Sequence, residues 1–224
     1  MYIQFLVEDI STKVFLQHVM EKIRSQHPDQ YLAWEIRSFK GIGHLPKHGK
    51  PLERKTGQLL NELPAALRAY NKTLLAIGQD ETALFIVLDN DKRDPYIFRK
   101  QLEQVAIDQM ILVDYVFCIA VKELEAWLLG DANAIEAAYP DLRKNVLRKY
   151  IQDGICDTWE VLADAVYPGG LAELKKQSGG AYMGIGKAKC QWADKIGREL
   201  ELHKNESPSF QYFLREVENR VGEC

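Results

Sequence analysis

The sequence predicts an α/β protein in which a mostly parallel sheet is flanked by helices and is followed by an all-helical C-terminal extension. Over the first 133 residues, short apolar stretches typical of buried strands alternate with helical patterns. That order is typical of strands joined by helical crossovers. From Ala134 onward no strand pattern occurs. We therefore expect an α/β core over residues 1–133 and a helical extension over 134–224 that packs on it.

The first elements follow from hydrophobic patterning. Residues 2–7 form an apolar run that predicts a buried strand, and Ser11 to Arg24 carries apolar residues at helical spacing. Residues 31–39 return to an imperfect strand pattern. The following stretch, 41–55, is rich in Gly, Pro, Lys and His and is predicted to be a loop.

The middle of the core continues the alternation. A helix is predicted over 56–76, with Pro64 as a candidate break because proline lacks the amide that a helix needs. Residues 83–88 form a second strongly apolar strand. Asp94 is a good helix N-cap and Pro95 suits the first helical position, so a helix is expected from there to about Asp108.

A further strand is predicted over 115–120, and a helix from about Lys122 onward. The extension reads as short helices separated by Gly and Pro. Its last helix has the clearest start, since Ser207 can cap it and Pro208 can open it.

Composition limits the class of protein. The chain has 224 residues, 46% hydrophobic and 27% charged, with a formal net charge of −3, which is typical of a globular protein. Its apolar runs fall short of the roughly 18 residues that span a bilayer, so no membrane segment is expected. Four scattered cysteines predict neither disulfides nor a zinc site. Without a secretory signal pattern at the N-terminus, we expect a cytoplasmic protein.

Acidic residues follow three of the predicted strands. Glu8 follows the first, Asp89 and Asp91 follow the strand over 83–88, and Glu123 and Glu125 follow the next. The carboxyl ends of parallel strands meet at one edge, where functional groups gather. Converging carboxylates repel one another unless a cation neutralises them. The sequence therefore predicts a Mg²⁺ or Mn²⁺ site formed by these five residues.

Each acidic group also has an ordinary structural explanation. Asp89 and Asp91 suit a turn, and Glu123 and Glu125 suit the first turn of a helix. Asp-x-Asp is also found in metal-dependent phosphatases, although Arg93 stands where haloacid dehalogenases have Thr. The coincidence of three acidic positions favours the metal site.

Basic residues predict the other half of a phosphodiester site. Lys47, Lys50 and Arg54 lie in the loop after the second strand, and Lys187 and Lys189 lie in the helical extension. Because the net charge is slightly negative, a polyanion would need such a local patch. We expect these five residues to contact nucleic-acid phosphates.

Several of these positions resemble a known family. Glu8 after the first strand and the pair Asp89-x-Asp91 after a later one resemble the Toprim domain of topoisomerases, primases and OLD-family nucleases. The stretch Ile119–Asp131, which contains Glu-Leu-Glu-Ala-Trp, is similar to a signature of a bacterial Toprim-like family of unknown function associated with ABC-type ATPases. Ser207–Phe210 is similar to the end of that family.

The resemblance implies a function as well as a fold. It implies that Asp89 and Asp91 ligate Mg²⁺, that Glu8 is the general base or a ligand of a second metal, and that Glu125, with Glu123, completes the cluster. The implied activity is cleavage of DNA or RNA phosphodiesters, in a bacterial defence system with an ATPase partner.

The sequence departs from the Toprim pattern at Asp9, where that domain usually has Gly, and at Lys13, where an acidic residue often stands. These differences keep open an alternative, a non-catalytic Toprim-like subunit that docks on an ATPase. Self-association of the chain is also compatible with the sequence.

Overall fold

A computed structural model describes residues 1–46, 56–154, 157–179 and 182–222. Its sheet has four parallel strands in the order β2-β1-β3-β4. The strands are β1 (Tyr2–Val7), β2 (Ala33–Ser38), β3 (Thr82–Asp89) and β4 (Asp114–Ala120). The strands that precede the acidic positions, β1, β3 and β4, are therefore immediate neighbours.

Helices flank the sheet and form the whole of the described C-terminal part. They are α1 (Ile10–Gln26), α2 (Leu59–Ile77), α3 (Pro95–Asp108), α4 (Leu124–Leu129), α5 (Ala132–Ala138), α6 (Lys144–Leu147), α7 (Thr158–Val166), α8 (Gly170–Gln177), α9 (Tyr182–Glu199) and α10 (Pro208–Gly222). The predicted α/β class and helical C-terminal part are confirmed. Among the described helices, none is long and apolar enough to cross a membrane.

The sheet separates two apolar cores because successive strand residues face opposite sides. Leu84, Ile86 and Leu88 of β3 pack with α2 and α3 on one face. Phe85 and Val87 pack on the other face with α1 and with the later helices, including α9 and α10. Residues from both ends of the chain thus share one core, which fixes the C-terminal helices against the sheet.

Helix α2 runs through Pro64, so the proline does not break it. A proline in this position removes one backbone hydrogen bond. Leu60 and Leu63 before it and Leu67 after it are all buried against the sheet. This burial on both sides of Pro64 outweighs the lost bond and keeps the helix continuous.

The tryptophan of the signature stretch is a core residue. Trp127 is fully buried, and its indole Nε1 donates to Ser209 Oγ at 2.8 Å. Asn205 Nδ2 donates to the Trp127 carbonyl at 2.7 Å. The two segments that carry the resemblance are therefore packed against each other, and Trp127 is inaccessible to a nucleic-acid base.

Gly130 lies where the same two segments meet. A Cβ at this position would stand 2.2 Å from Asn205 Oδ1 and 3.0 Å from the Ser207 amide nitrogen. We expect Gly130→Ala to lower the free energy of unfolding by about 1–3 kcal/mol through overpacking, measured by urea denaturation. Gly186, within α9, has nothing within 4 Å of its Cβ position. Gly186→Ala should instead stabilise by up to about 1 kcal/mol, and equal effects of the two substitutions would contradict this packing.

Candidate active site

The ends of β1 and β3 bring two carboxyl groups together. Glu8 directly follows β1, and Asp89 is the last residue of β3. The backbone amide of Asp89 donates to Glu8 Oε2 at 3.3 Å. The Glu8 side chain therefore turns toward the end of the neighbouring strand.

Asp9 forms the turn from β1 into α1. It is the N-cap of α1, and its carboxylate accepts from the Thr12 amide and from Ser11 Oγ, both at 2.8 Å. Its φ of −146° is extended backbone, which any residue adopts. The turn therefore does not require glycine, and Asp9 fits it as the N-cap of α1.

Asn90 joins the end of β3 to the end of β4, a role that sequence patterns did not reveal. Its amide donates to the Ala120 carbonyl at 3.2 Å, and its Oδ1 accepts from the Lys122 amide at 2.5 Å. Its Nδ2 donates to the Arg93 carbonyl at 2.6 Å. Because Asn90 is buried, these bonds hold the acidic loop after β3 in one position.

A lysine from the C-terminal helices reaches the same edge. Glu125, in the first turn of α4, is buried, and Lys189 Nζ of α9 lies 3.2 Å from its Oε2. The Lys189 side chain is 21% exposed. Lys189 therefore lies beside the acidic residues of this edge, where it is the counter-charge of Glu125, and not on an open basic surface.

Burial and mutual repulsion disturb the ionisation of the carboxyl groups. Burial is the main cause that raises the pKa of Glu8 from 4.5 to about 7, and the charges of Asp9 and Asp91 add to it. Burial, then the charges of Glu8 and Glu125, raises the pKa of Asp89 well above its usual value.

Glu125 and Lys189 influence each other. Burial raises the pKa of Glu125, although Lys189 opposes the rise. Burial disfavours the charged form of Lys189, but Glu125, Glu123 and Asp89 together raise its pKa. Three acidic groups, Glu8, Asp89 and Glu125, thus share the field of one ammonium; we call these four residues the carboxylate cluster.

The other two predicted ligands lie at the border of this cluster. Asp91 has a left-handed backbone (φ 49°) and its carboxylate pairs with Arg93 at 3.0 Å. Glu123 Oε2 accepts from Thr158 Oγ1 at 2.8 Å and from the Trp159 amide at 3.1 Å. Glu123 therefore also caps the beginning of α7.

An open cleft of about 480 Å³ adjoins the carboxylate cluster, lined by Asp91, Lys92, Arg93, Glu123 and Asp157. Of the predicted phosphate contacts, Lys187 is exposed on α9. Lys47, Lys50 and Arg54 lie outside the described residues, so their role stays a prediction.

The donor chemistry of the carboxylate cluster suits a hard divalent cation. Its oxygens are carboxylate oxygens, and when Glu8, Asp89 and Glu125 are ionised their three negative charges exceed the single positive charge of Lys189. Within the described ranges, the side chains as they stand do not bring three His, Cys, Asp or Glu groups into a metal-binding arrangement. Asp89, Asp91 and Glu125 are the residues that would hold Mg²⁺ or Mn²⁺, with Glu8 beside them.

Comparison with known proteins gives one match. A family model described as "Domain of unknown function (DUF4276)" matches residues 7–218, which include all the acidic residues of this edge. Neither the curated proteins nor the solved structures contain a match.

The raised pKa of Glu8 predicts a pH-dependent stability. The folded state holds the Glu8 proton up to about pH 7, whereas the unfolded chain loses it near pH 4.5, so stability falls as pH rises between these values. We expect Glu8→Gln, which removes the charge, to raise the free energy of unfolding by about 1–3 kcal/mol at pH 8 and to change it little at pH 4. Urea denaturation at both pH values measures this. The exposed Glu199→Gln is the control, and a pH-independent effect of Glu8→Gln would contradict the buried-carboxylate account.

The Lys189–Glu125 pair predicts a second pH-dependent effect on the free energy of unfolding, opposite in sign to that of Glu8→Gln. Lys189→Met leaves a buried carboxylate without its partner and should cost about 3 kcal/mol at pH 8. The loss should shrink toward pH 4, where Glu125 is neutral. The double variant Lys189→Met/Glu125→Gln should recover most of the stability at pH 8, as read from denaturation curves. Additive losses in the double variant would show that the two residues do not interact.

Proposed function

Because the chain belongs to the DUF4276 family, a domain of unknown function, we propose its function from its own residues: a Mg²⁺- or Mn²⁺-dependent nuclease that cleaves DNA or RNA phosphodiesters. The carboxylate cluster is the single observation that carries the proposal. Burying several carboxyl groups at a sheet edge costs stability, and proteins retain such arrangements chiefly at functional sites. An open cleft lies beside the cluster and leaves room for a substrate.

The residues of the chain divide the chemistry among themselves. Asp89, Asp91 and Glu125 would hold the divalent ion, which would supply a Lewis acid for the scissile phosphate. Glu8 accepts a proton from the attacking water, a role that suits a carboxyl group with a pKa of about 7. The water oxygen bonds to phosphorus while the P–O bond to the leaving oxygen breaks, and the leaving oxygen takes up a proton from solvent. Lys189 stays charged, and its positive charge offsets part of the negative charge of Glu125 and the neighbouring carboxylates.

Other residues bind the substrate in this proposal. Lys92 is exposed in the cleft and contacts the phosphate backbone, with Lys187 on α9 as a further contact. The likeness of Glu8 and Asp89-x-Asp91 to Toprim nucleases supports this assignment. The proposal also places the protein in the cytoplasm, in a defence system with an ABC-type ATPase, as the signature stretch Ile119–Asp131 suggests.

A second candidate function is a non-catalytic subunit that docks on an ATPase. The observation that favours it is a group of exposed apolar side chains in the last turn of α3 and just after it, Ile107, Met110 and Leu112, each more than 60% exposed. Apolar side chains that are exposed close together are typical of protein contacts. The nuclease assay below separates the two candidates.

We expect the purified protein to cleave single- or double-stranded nucleic acid with Mg²⁺ or Mn²⁺ and to stop when a chelator is added. Asp89→Asn keeps the shape of the side chain but removes its charge, so the cleavage rate should fall at least about 100-fold. Asp80→Asn, on an exposed residue that precedes β3 at the opposite edge, is the matched control and should cleave like wild type. Cleavage that survives in Asp89→Asn would refute the nuclease site. No cleavage by wild type under any of these conditions would favour the docking subunit.

A further inference from the structure

A second pocket, of about 300 Å³, lies next to the cleft at the carboxyl end of β4. It is bordered by the beginnings of α3 and α10. Its lining includes Tyr96, Arg99 and Tyr212 together with Ile119 and Val121. It is thus aromatic and apolar with a guanidinium in its wall, unlike the cleft, which is lined by charged side chains of both signs.

The aromatic side chains of the pocket are paired with cations. The Arg99 guanidinium lies over the Tyr212 ring at 4.9 Å, and Lys100 Nζ lies 4.3 Å from the centroid of the Tyr96 ring. The Tyr96 side chain is itself 65% exposed. Flat aromatic and guanidinium surfaces are those on which single-stranded nucleic acids stack their bases.

Asp153 also lines the pocket and decides which part of a nucleotide fits. Among the described residues that line the pocket, Arg99 is the one cation, whereas the cleft offers both Lys92 and Arg93 to a phosphate. The Asp153 carboxylate would accept a hydrogen bond from the exocyclic amine of a base, as acidic side chains do with cytosine. The pocket therefore suits a base, while the phosphates of the same strand lie elsewhere.

The backbone connects this pocket to the cleft. The cleft is lined by Asp91 and Arg93, and the pocket begins at Pro95, the first residue of the helix α3 that follows this loop. On the β4 side, Val121 lines the pocket and Glu123 lines the cleft, with the Lys122 carbonyl accepting from the Asp91 amide at 2.9 Å. A strand whose phosphates lie in the cleft can thus place a neighbouring base in the pocket.

We propose that this pocket binds an unpaired nucleobase beside the scissile phosphate, so that the substrate is single-stranded nucleic acid or a duplex with a displaced base. The inference rests on the proposed nuclease function and names its substrate class. Tyr96 is the stacking residue, and Asp153 favours bases that carry an exocyclic amine.

The test measures binding by fluorescence anisotropy of a labelled single-stranded 12-nucleotide DNA of mixed sequence, and of the same sequence as a duplex. Millimolar Ca²⁺ replaces Mg²⁺, and gels confirm that the DNA stays intact. Wild type should bind the single strand more tightly than the duplex. Tyr96→Ala should weaken single-strand binding about 5- to 100-fold, Tyr96→Phe should preserve it, and Tyr31→Ala, which alters an exposed tyrosine near the start of β1, should change nothing.

Equal binding by Tyr96→Ala and wild type, or the absence of single-strand binding by wild type, would overturn the pocket. The same experiments distinguish failure of the pocket proposal from failure of the nuclease proposal. Tyr96-dependent single-strand binding without any Mg²⁺- or Mn²⁺-dependent cleavage would retain the pocket and reject the nuclease. Cleavage by both wild type and Tyr96→Ala, without a preference for single strands, would retain the nuclease and reject the pocket.

Discussion

The parallel strands bring several carboxyl groups together at one edge of the sheet, where burial disfavours their charged forms. The geometry of the site depends on how the neighbouring residues balance this cost. Glu8, Asp89 and Glu125 come from segments that follow three adjacent strands, and all have a raised pKa. Lys189 arrives from α9 and pairs with the most buried of them. Removing any of these charges changes the ionisation of the others, so the cluster behaves as one unit.

Much of the fold follows from local sequence, and the reason is that β1, β3 and β4 are buried on both faces over most of their length. A strand covered on both sides is a nearly continuous apolar run, as in β3, and such runs are easy to recognise. Helix starts such as Asp94–Pro95 are equally local. The continuity of α2 through Pro64 was not predictable, because it depends on burial against a sheet that is distant in sequence.

In the candidate site, too, some residues could be predicted from local sequence and others depend on contacts that are distant in sequence. The acidic residues could be predicted because each lies at the end of a strand or within a few residues after it. Lys189 as the partner of Glu125 could not, since 64 residues separate them and no periodicity links the two. The role of Asn90 could not be predicted either. It depends on hydrogen bonds to the neighbouring strand end, whereas the sequence around Asn90 indicates only a turn. The signature stretch combines both kinds of residue, with Trp127 serving the core and Glu125 the cluster.

The most direct test of the carboxylate cluster is the proton balance of metal binding. Isothermal titration of Mn²⁺ into the protein at pH 6.5, in buffers of different ionisation enthalpy, counts the protons that are released. If Glu8 and Asp89 hold protons that a cation must displace, binding should be saturable, should release protons at pH 6.5 and should release fewer at pH 8. The absence of saturable Mn²⁺ binding, or binding without proton release at pH 6.5, would contradict the assignment of these buried carboxyl groups to a metal site.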